Sequence, residues 1–246
     1  MTLEVKDLVG GYSRIPVLKE VNFKINNGEL VGLIGLNGAG KSTTINHIIG
    51  LLKPFSGEIK INGISIDDDV NEYKKQIAYI PEVPILYKEL TLKEHIATTI
   101  SAYDLDETEA WNSADRLLKM FRLDKKLDWF PTNFSKGMRQ KVMILCAFIT
   151  NAKLFVIDEP FLGLDPVAVN DLLNLIEEQK KKGSSILMST HVLDTAERFC
   201  DEFVLIHNGE VRTQGTIEKL QKEFGMDDSS LNDIYLELAE EENSHE

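Results

Sequence analysis

Cysteine is scarce in this 246-residue chain: Cys146 and Cys200 stand far apart, each among apolar neighbours and without metal-ligand spacing. Two such thiols supply neither a disulfide framework nor a zinc site, and they read as buried structural positions in a reducing compartment. Long hydrophobic runs are also missing. The longest, "VMILCAFI" at 142–149, falls far short of the ~20 residues a membrane-spanning helix needs. The opening "MTLEVKDLVGGY" is charged and alternating, unlike a signal peptide. Positive charge is short as well, with 27 Lys and Arg against 40 Asp and Glu, a formal net charge of −13. That excess argues against nucleic acid as a partner, since its phosphates call for clustered positive charge. A single phosphate-binding loop remains compatible with it. The chain by itself reads as cytoplasmic, so that any membrane role comes through a partner.

What is present is ordinary globular material: 43% apolar and 27% charged residues, in a length that suits one or two domains. "LEVKDL" and "VLKEVNFKI" alternate as half-buried antiparallel strands do. "GELVGLIG" (28–35) is almost continuously apolar, as in a central strand covered on both faces. A helix with Ile45, Ile48, Ile49 and Leu52 at helical spacing follows. "SGEIKINGISI" reads as a hairpin turning at Asn62-Gly63. From about Leu90 to Phe148 the composition is helical. "KLFVIDEP" (153–160) and "SSILMSTH" (184–191) are two more buried strands. Between them Pro166 opens a helix with Asp165 as N-cap and Gly183 as C-cap. A hairpin turning at Asn208-Gly209, two short helical patterns and an acidic, frayed ending "EEENSHE" complete the chain. The predicted order is antiparallel strands, an α/β core interrupted by a helical insertion (about 90–150), and a short tail over 226–246.

"GLNGAGKS", Gly35 to Ser42, fits the pattern G-x-x-x-x-G-K-[ST] between a predicted strand and a predicted helix. Gly35, Gly38 and Gly40 let the backbone curl so that successive N–H groups line an anion-binding nest. The helix beginning near Lys41 adds its positive N-terminal dipole. Lys41 reaches β- and γ-phosphates, and the Ser42 hydroxyl suits Mg²⁺. Asp158, ending an apolar strand, offers the hard cation a second oxygen. Glu159 beside it can deprotonate a water for in-line attack on the γ-phosphate. No N/T-K-x-D segment points to guanine, and the helical insertion lacks the arginines of a small-molecule kinase lid. "NFSKGMRQK" (133–141) offers Ser135 as N-cap of an apolar helix. The polar string Lys136, Arg139, Gln140 and Lys141 exceeds what a helix start requires.

The ordered set "GLNGAGKST", "FSKGMRQ", "LFVIDEP", "LGLDP" and "STH" resembles the nucleotide-binding subunit of ATP-binding-cassette (ABC) transporters over nearly the whole chain. "YIPE-PILY-ELTLKEH", "WFP--FSKGM-QKVMI" and "IDEPFLGLDP" are similar, more narrowly, to the EcsA subfamily, ATPase partners of EcsB-type membrane proteins in Gram-positive bacteria. The resemblance implies an α/β P-loop NTPase of the ABC ATPase type, spanning 1–225, with a RecA-like core and an N-terminal antiparallel β-subdomain. It implies ATP and Mg²⁺ bound by the loop Gly35, Leu36, Asn37, Gly38, Ala39, Gly40, Lys41, Ser42 and Thr43. Tyr12 would stack on adenine, and His191 would hold the γ-phosphate and the attacking water. In a head-to-tail homodimer, Ser135, Lys136, Gly137 and Met138 would reach the ATP of the other copy, and Asp165 would lie in the loop crossing the interface. A separate EcsB-like permease would anchor the protein on the inner face of the membrane, with export the direction the family favours.

Two departures from the family pattern stand out. Lys136 and Met138 replace the usual glycine and glutamine of the signature, leaving Ser135 and Gly137 in place. Glu82, in "AYIPEVP", stands where most cassettes carry a glutamine that reaches Mg²⁺ and the attacking water near the permease contact. Glutamate keeps a metal-binding oxygen, loses an amide donor and adds negative charge. The competing reading is a soluble ABC ATPase, either a translation factor or a DNA-repair clamp. It is disfavoured by the single cassette, the absence of heptad arms and the acidity. A binding-only regulatory cassette is disfavoured because Lys41, Asp158, Glu159 and His191 are all present.

Overall fold

The computed structural model describes the backbone of residues 1–243 and the side chains of residues 1–240. Of the acidic ending expected to fray (240–246), residues 240–243 continue the last helix, Leu231–Asn243, and residues 244–246 lie outside the described residues.

The two alternating N-terminal segments are β1 (Leu3–Tyr12) and β2 (Ile15–Ile25), paired antiparallel. With β4 (Ser56–Ile61) and β5 (Ile64–Ser65) they form a four-stranded antiparallel sheet in the order β2-β1-β4-β5. The Asn62-Gly63 turn has positive φ at both residues, 47° and 83°, as the expected tight hairpin demands.

The second sheet runs β10-β9-β3-β8-β7-β6. Its parallel centre is β3 (Leu30–Ile34), β8 (Ser185–Ser189), β7 (Leu154–Asp158) and β6 (Ile77–Ile80). β9 (Glu202–His207) pairs parallel to β3, and β10 (Glu210–Gly215) closes the edge antiparallel through the Asn208-Gly209 turn. All five residues of β3 are buried, as its unbroken apolar run predicts. The pleat divides each central strand between two cores. Phe155 and Ile157 of β7 face the helical insertion, whereas Leu154 and Val156 face the antiparallel sheet. Each such side chain contributes roughly 2 kcal/mol by leaving water.

Helix α1 (Lys41–Ile48) follows β3, and α2 (Val70–Lys75) precedes β6. α1 is shorter than its apolar spacing suggests. It ends at Ile48, with Ile49 as cap and Gly50 at φ 66°, which leaves Leu52 beyond the helix and only partly buried. Between β6 and β7 lie α3 (Leu92–Ala102), α4 (Glu107–Met120) and α5 (Lys136–Phe148), with no strand among them. α4 buries Ala110, Ala114, Leu117 and Leu118, one face at helical spacing. α6 (Pro166–Lys181) starts at its Asp165 cap as expected, but Lys182 takes the C-cap, and Gly183 follows it at φ 89°. After β8 come α7 (Leu193–Phe199), then, beyond β10, α8 (Ile217–Phe224) and α9 (Leu231–Asn243). Both cysteines are free, and burial pushes their thiols up, Cys146 to about 11 and Cys200 to about 12, which suits inert structural positions. Among the described residues no helix is long and apolar enough to cross a membrane.

Candidate functional site

In an open parallel sheet, ligands bind beyond the carboxyl ends of the strands. Here β3 runs into Gly35, β6 into Pro81 and Glu82, β7 into Asp158 and Glu159, and β8 into Thr190 and His191. Because these four strands are neighbours in the sheet, their ends converge. Leu36, Asn37, Gly38, Gly40, Lys41, Ser42, Thr43, Glu82, Asp158, Glu159 and His191 line one cavity of about 210 Å³.

The loop from Gly35 curls into α1 through Gly40, which caps the helix at φ 112°. A side chain at that φ would be strained, and a Cβ there would also meet Leu18 Cδ2 at 2.8 Å. Lys41 is nearly buried, and its Nζ donates to the carbonyls of Gly35 (2.5 Å) and Leu36 (3.0 Å), which holds the ammonium within the loop. Burial lowers its pKa, against the opposing pull of Glu159 and Asp158. Ser42 is exposed at the first turn, while Ala39 is buried behind the loop. The nest, the ammonium and the helix N-terminus meet the requirements of a di- or triphosphate.

Asp158 Oδ1 accepts a short hydrogen bond from Ser189 Oγ, so the adjacent strand fixes the carboxylate. Glu159 sits at φ +46°, a left-handed conformation that costs a non-glycine residue roughly 1 kcal/mol. Its N–H donates to Ser189 O (3.1 Å), and its Oε2 accepts from the His191 N–H (3.1 Å). Oε1 is buried and makes no hydrogen bond, although His191 Nε2 stands 3.2 Å away. Burial raises the Glu159 pKa, opposed mainly by the hydrogen bond from His191. A backbone outlier with a desolvated carboxylate beside an imidazole is an arrangement found where a proton is moved.

Ser42, Asp158 and Glu82 bring three oxygen donors to the same cavity. Among the described residues no three His, Cys, Asp or Glu side chains close on one point as a cation cage. That donor set, two carboxylates and a hydroxyl, suits Mg²⁺, which takes one or two carboxylates and completes its shell with substrate phosphate and water.

Tyr12 lies outside the cavity at the end of β1, half exposed, its hydroxyl accepting from Asn46 Nδ2 of α1 at 3.4 Å. Ser135, Lys136, Gly137, Met138 and Asp165 also lie outside it. Ser135 caps α5 by accepting from the Met138 N–H (3.2 Å). Gly137 approaches the 159–165 loop so closely that a Cβ would lie 2.5 Å from Gly163 O. Lys141 Nζ meets Asp165 Oδ2 at 2.7 Å and holds that carboxyl at about 2. Gln140 is fully buried, and its Nε2 reaches Pro81 O at 3.4 Å, tying α5 to the Glu82 loop. Half of the polar string after Ser135 is therefore spent on contacts within the chain. Ser189, the serine of "STH", and Gln140, in the polar string after Ser135, stand within noted motifs, but nothing in their spacing points to Asp158 or Pro81 as partners.

Fold and site together define a P-loop NTPase. By sequence, residues 18–162, more than half of the chain, match the family described as ABC transporter, and the chain belongs to that family. It is EcsA-like, being 57% identical over 244 residues to the ABC-type transporter ATP-binding protein EcsA of Bacillus subtilis (strain 168), with 99% of each chain covered. A solved structure of an ATP binding subunit of an ABC transporter superimposes with a TM-score of 0.95 at 54% identity, covering 97% of this chain and 100% of that one. The ATP-binding cassette MJ0796, solved as a dimer in a post-hydrolysis state bound to ADP and Pi, gives a TM-score of 0.77 at 28% identity. That match covers 87% of this chain and 98% of the other. The expected family and fold class are both met. ATP binding and hydrolysis are general to the family.

Proposed function

We propose that this chain is the ATP-hydrolysing subunit of a membrane exporter and energises a separate permease. The observation that carries the reading is the convergence of Lys41, Asp158, Glu159 and His191 on one cavity at the ends of adjacent strands. The loop Gly35–Thr43 binds the phosphates, and Lys41 holds the β- and γ-oxygens. Ser42, Asp158 and Glu82 would hold Mg²⁺, which would supply positive charge to neutralise that developing on the phosphate oxygens. Glu159, made more basic by burial, takes the proton from the attacking water. His191 orients that carboxylate and the γ-phosphate, and Tyr12 offers its exposed ring to adenine.

Two copies pair head to tail, each presenting the capped start of α5, Ser135 to Met138, to the nucleotide of the other, with Asp165 in the crossing loop. Support comes from the exposure of Ser135 and Lys136, and from the close approach of Gly137 to the 159–165 loop, which keeps the start of α5 next to Asp165. The ATPase unit covers 1–225, and 226–246 is an appended tail. The exposed apolar side chains Val83, Ile85 and Tyr87, directly after Glu82, support a contact with an EcsB-like permease next to the metal site, through which the protein would sit at the inner membrane surface. Isolation from detergent-solubilised membranes, followed by identification of co-purifying chains, tests the transport reading. A chain with several membrane spans is expected; recovery from the soluble fraction alone would favour a free regulatory ATPase.

A further inference from the structure

His191 is tied to Glu159 on one side, but its other side leads directly into α7, a helix of only seven residues. So short a helix has little stability of its own, and α7 has no side-chain cap at its first turn. Its position is set by what packs against it. One wall is the sheet, through Ile34, Phe203 and Leu205; the other is α9, through Leu231, Ile234 and Leu238, which share a buried core with Leu193 and Ala196 of α7. Leu193 is two residues from His191.

The two helices are also joined by a directed bond. Glu197 Oε2 of α7 accepts from the Leu231 N–H, the first of α9, at 2.7 Å. α9 has its own local cap, since Ser230 and Asp233 exchange hydrogen bonds in a capping box (2.7–3.2 Å). The Glu197 bond is therefore not needed to start α9. It fixes where α9 lies against α7, and a carboxylate at a helix N-terminus is a favoured and charge-assisted partner.

We propose that α9 is a positioning element for His191: it braces α7 through Glu197 and the Leu231–Ile234–Leu238 face, and so sets the hydrolysis step rather than nucleotide affinity. The inference rests on the role given above to His191. It assigns a task to the C-terminal tail, whose described residues do not line the cavity.

The test uses full-length Glu197→Ala, Glu197→Gln, Ile234→Ala and His191→Ala, with kcat, nucleotide Kd and melting temperature measured for each. Glu197→Ala is expected to lower kcat about three- to tenfold with Kd unchanged, the size a lost charge-assisted hydrogen bond allows. Glu197→Gln, which keeps an acceptor oxygen, recovers most of the rate, and Ile234→Ala falls in the same direction. In a His191→Ala background, Glu197→Ala adds no further loss, because the two act through one group. Unchanged kcat in both Glu197→Ala and Ile234→Ala, with His191→Ala strongly impaired, overturns the bracing role alone. A parallel loss of kcat and Kd overturns it in favour of general destabilisation. A fully active His191→Ala removes the reading of the histidine, and the inference with it.

Discussion

The cavity at the strand ends and the start of α5 are both built around a helix N-terminus, yet one is furnished within the chain and the other is not. At α1 the helix meets Lys41, Ser42, Glu82, Asp158, Glu159 and His191 across a single cavity. At α5 the helix is capped by Ser135, Gly137 closely approaches Gly163, and Lys141 holds Asp165, but none of these residues lines that cavity. A helix N-terminus becomes a phosphate site when other groups converge on the same point. The first region gathers such groups within one chain. The second would need another surface to bring the phosphate to it, as the proposed head-to-tail dimer does.

The sharpest way to break this contrast is Glu159→Gln. It should lower ATP turnover by roughly 10²–10⁴-fold, the scale of general-base catalysis, with ATP still bound. Wild-type turnover from the variant would dissolve the distinction between a catalytic and a merely phosphate-holding end. Gly137→Ala comes next. Its Cβ would press on a backbone oxygen, an overpacking cost of about 1–3 kcal/mol, so ATPase should fall about tenfold while nucleotide affinity of the monomer stays unchanged. Loss of monomer affinity would show instead that the two regions are one site.

A pH profile gives a moderate effect. Burial raises the Glu159 pKa, so the base becomes competent only as pH passes above its raised value, and the acid limb of kcat should lie above the ordinary Glu value of about 4.3. The sign for stability is opposite. A raised folded-state pKa contributes stability that is full below the unfolded value and disappears as pH rises through the folded one. Glu159→Gln should therefore melt no lower than the parent at neutral pH, and calorimetry checks it. The smallest effect is expected from Glu82→Gln, which should keep ATP binding and shift the Mg²⁺ concentration giving half-maximal ATPase by a few fold at most, an exposed charge being well screened. An unchanged Mg²⁺ titration, together with unchanged permease-coupled activity, would return Glu82 to an ordinary surface role.

The fold is legible in the sequence mainly through periodicity and punctuation. The unbroken apolar run gave β3, the Asn-Gly pairs gave both hairpin turns, and Asp165-Pro166 gave the start of α6. The end of α1 is not legible in periodicity, since Leu52 keeps helical spacing but Gly50 adopts a left-handed conformation that stops the helix first. Burial of Gln140 and the Glu197 bond to α9 had no sequence signal, because each joins elements 59 and 34 residues apart.

The sequence by itself determined the phosphate-binding class, because a glycine-lysine-serine loop between strand and helix is a local feature whose geometry follows from its own residues. It also determined the strand-end acids and the order of the elements. Only the tertiary structure decided that Glu82 shares a cavity with Asp158 and Lys41, that Lys41 is held by its own loop's carbonyls, and that α9 packs on the helix following His191. Those facts depend on strand order and on side chains meeting across long separations, and neither is encoded in any short stretch of chain.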